Sequence, residues 1–289
     1  MKCEAIHLQR ALYSVRKMCE ALQIRQCQYY QWLSRQEKKN RRREQESQLV
    51  HQVERAFTDS YETYGCRKIK HTLNAQGTHI REWKVRRIMK ENGLYPVTRR
   101  KYRPYKKARQ EGIYSRNEVN RGFSPDRFNQ IWAGDITYIA TNLGWVYLSA
   151  VLDLKNKEVI GYEVSQNIDS ELCRRVLGNA IARHGTAEGL IFHSDRGSQY
   201  SSKAYRSMLR HYQIVPSMSA PGCPYDNSPV ESFFATLKRE LIYRKKYATI
   251  EEIRTDIFRY IELFYNRKRL HSSLGYLSPV QYQLAQNSR

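Results

Sequence analysis

The sequence lacks any apolar run long enough to cross a membrane. Its longest apolar stretch, WVYLSAVLDL at residues 145–154, is far shorter than the ~20 residues of a membrane-spanning helix. The N-terminus, MKCEAIHLQR, also lacks the apolar segment of a secretory signal peptide. These absences argue against an integral membrane protein, and we expect a cytoplasmic protein without a membrane partner.

Paired cysteines are also absent. No two of the six cysteines form a CxxC motif, and no histidine pair accompanies them at the spacing of a zinc site. We therefore predict reduced, mostly buried thiols, which are typical of cytoplasmic proteins. The six residues are Cys3, Cys19, Cys27, Cys66, Cys173 and Cys223.

Acidic residues are scarce relative to basic ones. The chain holds 28 Asp and Glu against 50 Lys and Arg, which gives a formal net charge of +22. Residues 1–127 carry 30 basic and 13 acidic side chains, whereas residues 128–289 carry 20 and 15. A basic front half before a nearly balanced back half indicates an arm that binds a polyanion and a separate body. Nucleic acid is the polyanion that this distribution favours.

The front half is predicted to be helical. Residues 10–36 give two helices with a break near Gln23–Ile24, and a long polar helix follows, whose run KKNRRR is typical of a solvated face. The segments GCRKIKHTLNAQG and REWKVRRIMKENGL then form a helix pair with a short turn and a basic second helix, as in a helix-turn-helix. A two-helix connector with a basic exterior is the alternative. Candidate DNA contacts on the second helix are Arg81, Lys84 and Arg87.

The stretch YPVTRRKYRPYKKARQ, residues 95–110, holds seven Lys and Arg and no acid. Its prolines favour an extended backbone, and its charges favour a phosphate backbone as partner. Its interleaved tyrosines can stack on bases or sugars. A plain basic linker is the alternative. The candidate DNA contacts here are Arg99, Arg100, Lys101 and Arg103.

The back half has the pattern of an α/β fold. Three consecutive strands, with turns near residues 142–144 and 156–157, precede an alternation of helices and strands that includes GLIFHS and IVPSMS. Three antiparallel strands followed by such an alternation predict a mixed sheet with helices on its faces. The last long helix, TIEEIRTDIFRYIELFY, opens with the capping-box residues Thr249 and Glu252.

Three acidic residues lie near the ends of these elements. Asp135 lies in the first strand, Asp195 directly follows the fourth, and Glu231 opens the helix after the fifth. The ends of the first and fourth strands can be neighbours, and three carboxylates meeting there would repel one another without cations. Oxygen ligands favour Mg²⁺ or Mn²⁺. Two such ions about 4 Å apart support an in-line phosphoryl transfer.

Each acid also has a simpler explanation. Asp135 could be an edge-strand aspartate, although aspartate disfavours strands. Asp195 could cap a turn. Glu231 could complete a capping box with Ser228 as the N-cap, and a carboxylate folded back in that way would not hold a metal. A further strand-end acid, Asp153, is interpreted as a turn residue.

Basic residues accompany the acids. Lys238 follows Glu231 by seven residues, almost two helical turns, so both side chains face the same way and the lysine could hold a DNA phosphate. A surface lysine is the alternative. Arg196 and Arg239 are further candidates for DNA phosphates.

Four motifs in order, WAGDITYI, HSDRGSQY, YDNSPVESFFATLKRE and YNRKRLHSSLGYLSP, resemble the DDE transposases of bacterial insertion sequences. The resemblance is to the OrfB-type product with a retrovirus-like integrase core, and it covers nearly the whole chain, because YGCRKI…VRRIMKENGL is similar to that family's helix-turn-helix. It implies an RNase H-like mixed sheet preceded by an all-α region. It also implies that Asp135, Asp195 and Glu231 are catalytic and bind Mg²⁺, with Mn²⁺ able to substitute, and that Lys238 matches the family's basic residue.

The resemblance also implies an activity and partners. The family cuts DNA at the ends of its element and joins the freed 3′-hydroxyl to a target phosphate, so we expect element ends and target DNA as partners in the bacterial nucleoid. Paired ends imply a homo-oligomer. The sequence shows no sustained heptad run, so the chain acts either alone or with an upstream OrfA-type product, as a partner or a frameshift fusion. A DNA-binding regulator with an inactive core and an RNase H-type nuclease are the rival functions.

Five segments are predicted from these patterns. They are an N-terminal helical region (1–60), a helix-turn-helix segment (61–96), a basic linker (97–127), a catalytic core (128–245) and a C-terminal helix with a basic tail (246–289).

Overall fold

A computed structural model describes residues 1–97, 114–142, 144–220 and 224–288 of the chain. The chain divides into two units. The first comprises residues 1–59 and 69–94, and the second comprises residues 60–68 and 95–289.

The first unit is helical, as predicted. Its helices are α1 (Lys2–Gln9), α2 (Val15–Ala21), α3 (Gln26–Asp59), α4 (Cys66–Ala75, whose first three residues belong to the second unit) and α5 (Glu82–Glu91). The predicted break is confirmed, since Gln23 has a φ of +52° between α2 and α3. The KKNRRR run on α3 is exposed, which agrees with a solvated face.

Helices α4 and α5 form the predicted pair. The turn after α4 contains Gly77 with a φ of +87°, a conformation that glycine adopts without strain. The apolar positions that helical spacing assigns to one small core are all buried, namely Ile69, Leu73, Val85, Ile88 and Met89. The helix periodicity of the sequence therefore identifies the buried face of this pair.

The second unit contains a five-stranded mixed sheet, as predicted. Its strands are β1 (Ile131–Thr141), β2 (Gly144–Asp153), β3 (Val159–Ser165), β4 (Ile191–Ser194) and β5 (Val215–Met218). Their order is β3-β2-β1-β4-β5. The first three strands are antiparallel neighbours, whereas β4 runs parallel to both β1 and β5. Strand β1 is therefore central, and the interpretation of Asp135 as an edge-strand residue is wrong.

Helices flank this sheet. They are α6 (Ser170–His184), α7 (Ser198–Ser201), α8 (Lys203–His211), α9 (Ser228–Glu240), α10 (Ile250–Phe258) and α11 (Pro279–Asn287). Helix α6 packs its apolar residues, including Leu172 and Val176, against one face of the sheet, where Trp132 and Ile160 lie. This core fixes the strands that carry the predicted acids.

The last long helix begins as predicted and then changes its form. The Thr249 Oγ1 accepts a hydrogen bond from the Glu252 amide at 3.2 Å, which confirms the N-terminal cap of α10. After Phe258 the chain continues as a π-helix over Arg259–Tyr265 rather than as one regular α-helix.

Strands β1 and β4 approach each other closely at one glycine. A Cβ atom at Gly134 would lie 2.5 Å from Cζ of Phe192 on β4. A ring that is almost fully buried cannot move aside easily in a close-packed core. Only glycine fits this position without a shift of the neighbouring strand.

The structure bears on two further predictions, the lack of a membrane-spanning helix and the burial of the cysteines. No helix among the residues that the structure describes combines the length and apolar character needed to span a bilayer. The prediction of mostly buried cysteines is wrong, because only Cys19 and Cys173 are buried among the five described cysteines. Cys27 is exposed on the first turn of the long polar helix α3, and Cys3 and Cys66 are half-buried.

Candidate active site

The two predicted aspartates lie on, or directly after, adjacent strands. In the parallel pairing of β1 with β4, Gly134 is opposite Ser194, and Asp135 and Asp195 are the residues that follow. Neighbouring strands are separated by about 4.8 Å, so this register brings the two residues side by side. The pKa of the Cys173 thiol is raised to about 12, mainly by burial, and the negative charges of Asp195 and Asp135 both contribute to the rise.

The two carboxylates are held by local backbone hydrogen bonds. Asp135 is 8% exposed, and its Oδ1 accepts from the Ile136 amide at 2.8 Å. The Oδ1 of Asp195 accepts from the Gly197 amide at 2.9 Å. The turn interpretation of Asp195 is therefore confirmed, and it coexists with the position of this residue beside Asp135.

Glu231 has different surroundings. A short 3₁₀ turn, Pro224–Asn227, leads directly into α9, so Asn227 rather than Ser228 is the N-cap. The predicted capping box is wrong, because the helix begins one residue too early for it. Glu231 is exposed in the first turn of the helix.

The three predicted acids do not form a compact cluster in this structure. Within the described residues, no three His, Cys, Asp or Glu side chains lie close enough together to hold a metal ion. Asp135 on β1 and Asp195 directly after β4 follow paired residues of the two strands. A site with three carboxylates therefore stays a prediction.

Lys238 on α9 interacts electrostatically with Asp135 on β1. Burial lowers the pKa of the lysine, and the negative charge of Asp135 opposes that shift. The lysine is half-buried, so it differs from the surface lysine of the alternative interpretation. Its neighbour Arg239 is also half-buried and points its Nη2 at the Thr236 hydroxyl, at 3.4 Å.

The Arg196 side chain makes its contacts within the protein. Its Nε donates to the Ser219 carbonyl at 2.9 Å, and its guanidinium lies 4.7 Å from the centre of the Tyr114 ring. The residue after Asp195 therefore fixes a turn, and contact with DNA stays a prediction.

The basic residues of α5 are partly engaged within the first unit. Lys84 lies 3.1 Å from Glu46 on α3, and Arg87 pairs with the same carboxylate. Arg81 is exposed at the N-cap of α5. The candidates Arg99, Arg100, Lys101 and Arg103 lie outside the described residues.

Sequence analysis missed two buried carboxylates near this site. Asp226 accepts hydrogen bonds from Arg121 and Asn117, more than 100 residues earlier in the chain. Glu240 ends α9 and pairs with Arg269. Neither acid is marked by its local sequence, since polar or charged residues adjoin both, and the need of a buried carboxylate for partners becomes visible only in the fold.

Family models match most of the chain. Residues 125–224 and 231–286 match two models that are both described as an integrase core domain. Residues 44–102 match a model described as an HTH-like domain. Together with the sheet order, these matches confirm an RNase H-like core preceded by a helical region.

The chain is similar to proteins of insertion sequences along nearly its full length. It is 37% identical over 284 residues to the transposase InsF of insertion sequence IS3A from Escherichia coli strain K12, covering 98% of each chain. It is 34% identical over 266 residues to a 31 kDa protein of insertion element IS600 from Shigella sonnei, covering 92% of this chain and 97% of that one.

Similar folds occur among solved structures. The catalytic core domain of BIV integrase gives a TM-score of 0.42 and 18% identity over 55% of this chain and 97% of that chain. The catalytic domain of the Mos1 mariner transposase gives 0.41 and 17% over 47% and 71%.

Proposed function

The chain belongs to the family of IS3-type insertion-sequence transposases, and we propose that Asp135, Asp195 and Glu231 together bind the divalent metal ions with which it cuts and joins DNA. An integrase-core enzyme of this family acts in DNA transposition. The finer proposal concerns the three acids, the metal and the DNA contacts.

The observation that carries the proposal is the register of β1 and β4. It makes Asp135 and Asp195 neighbours at one end of the parallel strand pair. Two adjacent carboxylates supply the oxygen ligands that Mg²⁺ or Mn²⁺ prefer. When bound, such ions activate an attacking oxygen and stabilise a leaving one.

Glu231 would complete the ligand set from the start of α9. Its exposed carboxylate accommodates a ligand role, since the predicted capping box does not form.

Lys238 would hold a DNA phosphate beside the two aspartates. Its position near Asp135 supports this role, because a cation there can neutralise a phosphate that approaches the carboxylates. In the joining step the 3′-hydroxyl of the element end forms a bond to a target phosphorus and loses its proton. The bond from that phosphorus to the target 3′-oxygen breaks, so the number of phosphodiester bonds does not change.

The test is the substitution Asp195→Asn in the full chain, with Mg²⁺ and labelled element-end DNA. We expect strand transfer to fall by about 10³-fold or more, because an anionic ligand is lost, while DNA affinity stays within about twofold. The matched control is Asp126→Asn, which neutralises an exposed acid in the same unit. Equal strand transfer by the Asp195 variant and the wild type would contradict the site assignment.

We also propose a working complex of at least two copies on paired ends, with or without an upstream OrfA-type product. Light scattering of the chain with element-end DNA measures the stoichiometry. A single copy per joined pair of ends would contradict this proposal.

A further inference from the structure

A short stretch of the second unit, residues 114–121, lies along the last strand of the sheet. The Arg116 carbonyl accepts a hydrogen bond from the Met218 amide at 3.1 Å. The Glu118 amide donates to the Ser217 hydroxyl at 2.9 Å. Residues 114–121 are therefore fixed against β5, although they form no strand of their own.

One end of this stretch contacts the segment that carries Asp195. The Tyr114 ring lies under the guanidinium of Arg196, the residue after Asp195. The same guanidinium binds the Ser219 carbonyl just beyond β5. The turn that holds Asp195 is thus tied to residues 114–121.

The other end contacts the turn that leads into α9. The Oδ1 of Asp226 accepts from Arg121 Nε at 2.9 Å. Its Oδ2 accepts from Asn117 Nδ2 and from the Ala220 amide, each at 3.0 Å. We name these three side chains, Asp226, Arg121 and Asn117, the Asp226 brace.

The carboxylate of the Asp226 brace is buried and stays ionised. Asp226 is 3% exposed. The hydrogen bond from the Ala220 amide and the contact with Arg121 lower its pKa. A buried charge with three donors is costly to move, so it fixes the chain around it.

The backbone of the stretch is strained where it supplies these donors. Asn120 and Arg121 have φ angles of +45° and +64°. Two consecutive residues other than glycine rarely adopt this conformation, and it persists only when surrounding contacts impose it. The Asn120 amide donates to Asn117 Oδ1 at 2.9 Å, which holds the turn that presents Arg121 to Asp226.

We infer that Asp226 is a positioning residue for the transfer reaction, which sets the start of α9, and therefore Glu231, relative to the turn that carries Asp195. Helix α9 begins two residues after Asp226, and Glu231 follows three residues later. Residues 114–121 join both turns in one hydrogen-bonded assembly. The inference rests on the proposed role of Glu231 as a metal ligand.

The experiment compares Arg121→Ala, Arg121→Lys and Arg127→Ala in the full chain, with Glu231→Gln as the inactive reference. The Arg121 side chain is 57% exposed, so its removal leaves no cavity and the variant folds. Arg127→Ala removes the same charge from an exposed position six residues later. The measurements are kcat and KM for strand transfer and hydrogen–deuterium exchange over residues 224–234.

For Arg121→Ala we expect kcat to fall about 10- to 100-fold at unchanged KM, because a misplaced ligand slows the chemical step. Exchange at the start of α9 should rise in the same variant without metal. Lysine should restore both values to within about threefold, since one charged donor suffices to meet Oδ1. Arg127→Ala should match the wild type.

Two results would overturn the inference. An Arg121→Ala variant with wild-type kcat, beside an inactive Glu231→Gln, would remove the positioning role and leave the metal site intact. A rise in KM alone, with unchanged exchange, would make Arg121 a DNA contact. An active Glu231→Gln would instead reject the proposed function itself.

Discussion

Helix α9 carries a glutamate near each end, and their surroundings are opposite. Glu231 near its beginning is exposed, whereas Glu240 at its end is 6% exposed. Both Arg269 Nε and the Tyr260 hydroxyl donate to Glu240 Oε2, at 2.9 and 2.7 Å, and Arg269 Nη2 donates to Oε1 at 2.8 Å. One end of the helix is anchored by a buried charge pair, and the other presents a carboxylate to solvent.

This difference shows how one helix can carry a structural carboxylate at its end and a solvent-facing one near its beginning. A buried charge pair with three hydrogen bonds fixes the position of the helix end. At the other end the backbone is also held, because Asp226, Asn227 and Val230 are buried, and it is the Glu231 side chain that is exposed. The three predictions below test this contrast between the two glutamates.

The largest effect is expected for Glu231→Gln. Strand transfer should fall by about 10³-fold or more, because the change removes the anionic oxygen that we propose as a metal ligand. The free energy of unfolding should stay within about 0.5 kcal/mol of the wild type, because the side chain is exposed. Strand-transfer rates and urea unfolding measure the two quantities. A large loss of stability would show that both ends of the helix are structural.

Glu240→Gln should have the reverse profile. The substitution leaves the Arg269 charge buried without its counter-charge, and we expect the free energy of unfolding to fall by about 3–5 kcal/mol. Urea unfolding measures the change. The matched control is Glu262→Gln, which breaks a more exposed pair with Arg183 and should cost at most about 1 kcal/mol. Equal losses in both variants would remove the distinction between the buried pair and the exposed one.

The smallest effect concerns pH and His271, which lies in the same buried region as Glu240. The pKa of His271 is lowered to about 2, mainly by burial and in addition by the positive charges of Arg269, Lys68 and Lys157. The unfolded chain therefore binds a proton below about pH 6.5 that the folded chain does not bind. Stability should fall by up to about 1.4 kcal/mol for each pH unit below that value.

The measurement is urea unfolding between pH 7 and pH 4.5 for the wild type and for His271→Leu. The variant should show a shallower pH dependence. Burial also lowers the pKa of His193, so part of the slope should remain. Glu240 acts only at lower pH, because its pKa lies below the ordinary value: burial alone would raise it, but Arg269 and Tyr260 together outweigh burial. An unchanged slope in the variant would contradict the assignment to His271.

Much of the fold follows from local patterns. The strands and helices of the second unit are bounded by turn residues and by alternating apolar positions, so their order and type were predictable. Asp135 and Asp195 were identifiable because an aspartate is unusual within or directly after an apolar strand. Their adjacency depends on the parallel register of β1 and β4, which the order of elements favours.

The rest depends on contacts that sequence patterns do not encode. The start of α9 differs from the predicted capping box, because the preceding 3₁₀ turn makes Asn227 the N-cap. Asp226 meets Arg121 across 105 positions of sequence, and Glu240 meets Arg269 across 29. Both carboxylates lie on or beside α9, whose other acid, Glu231, is exposed, so only the three-dimensional packing distinguishes the buried acids from the exposed one.

The absence of a side chain at Gly134 has a consequence for how this sequence can change over generations. Because the Phe192 ring fills the space that a Cβ atom would take, an alanine at Gly134 would push β4 away from β1 and change the gap between the two aspartates. The glycine and the phenylalanine therefore form a coupled pair, in which a larger residue at one position is tolerated only with a smaller one at the other. The distance between Asp135 and Asp195 therefore depends on which residues occupy positions 134 and 192, although neither of those residues is acidic.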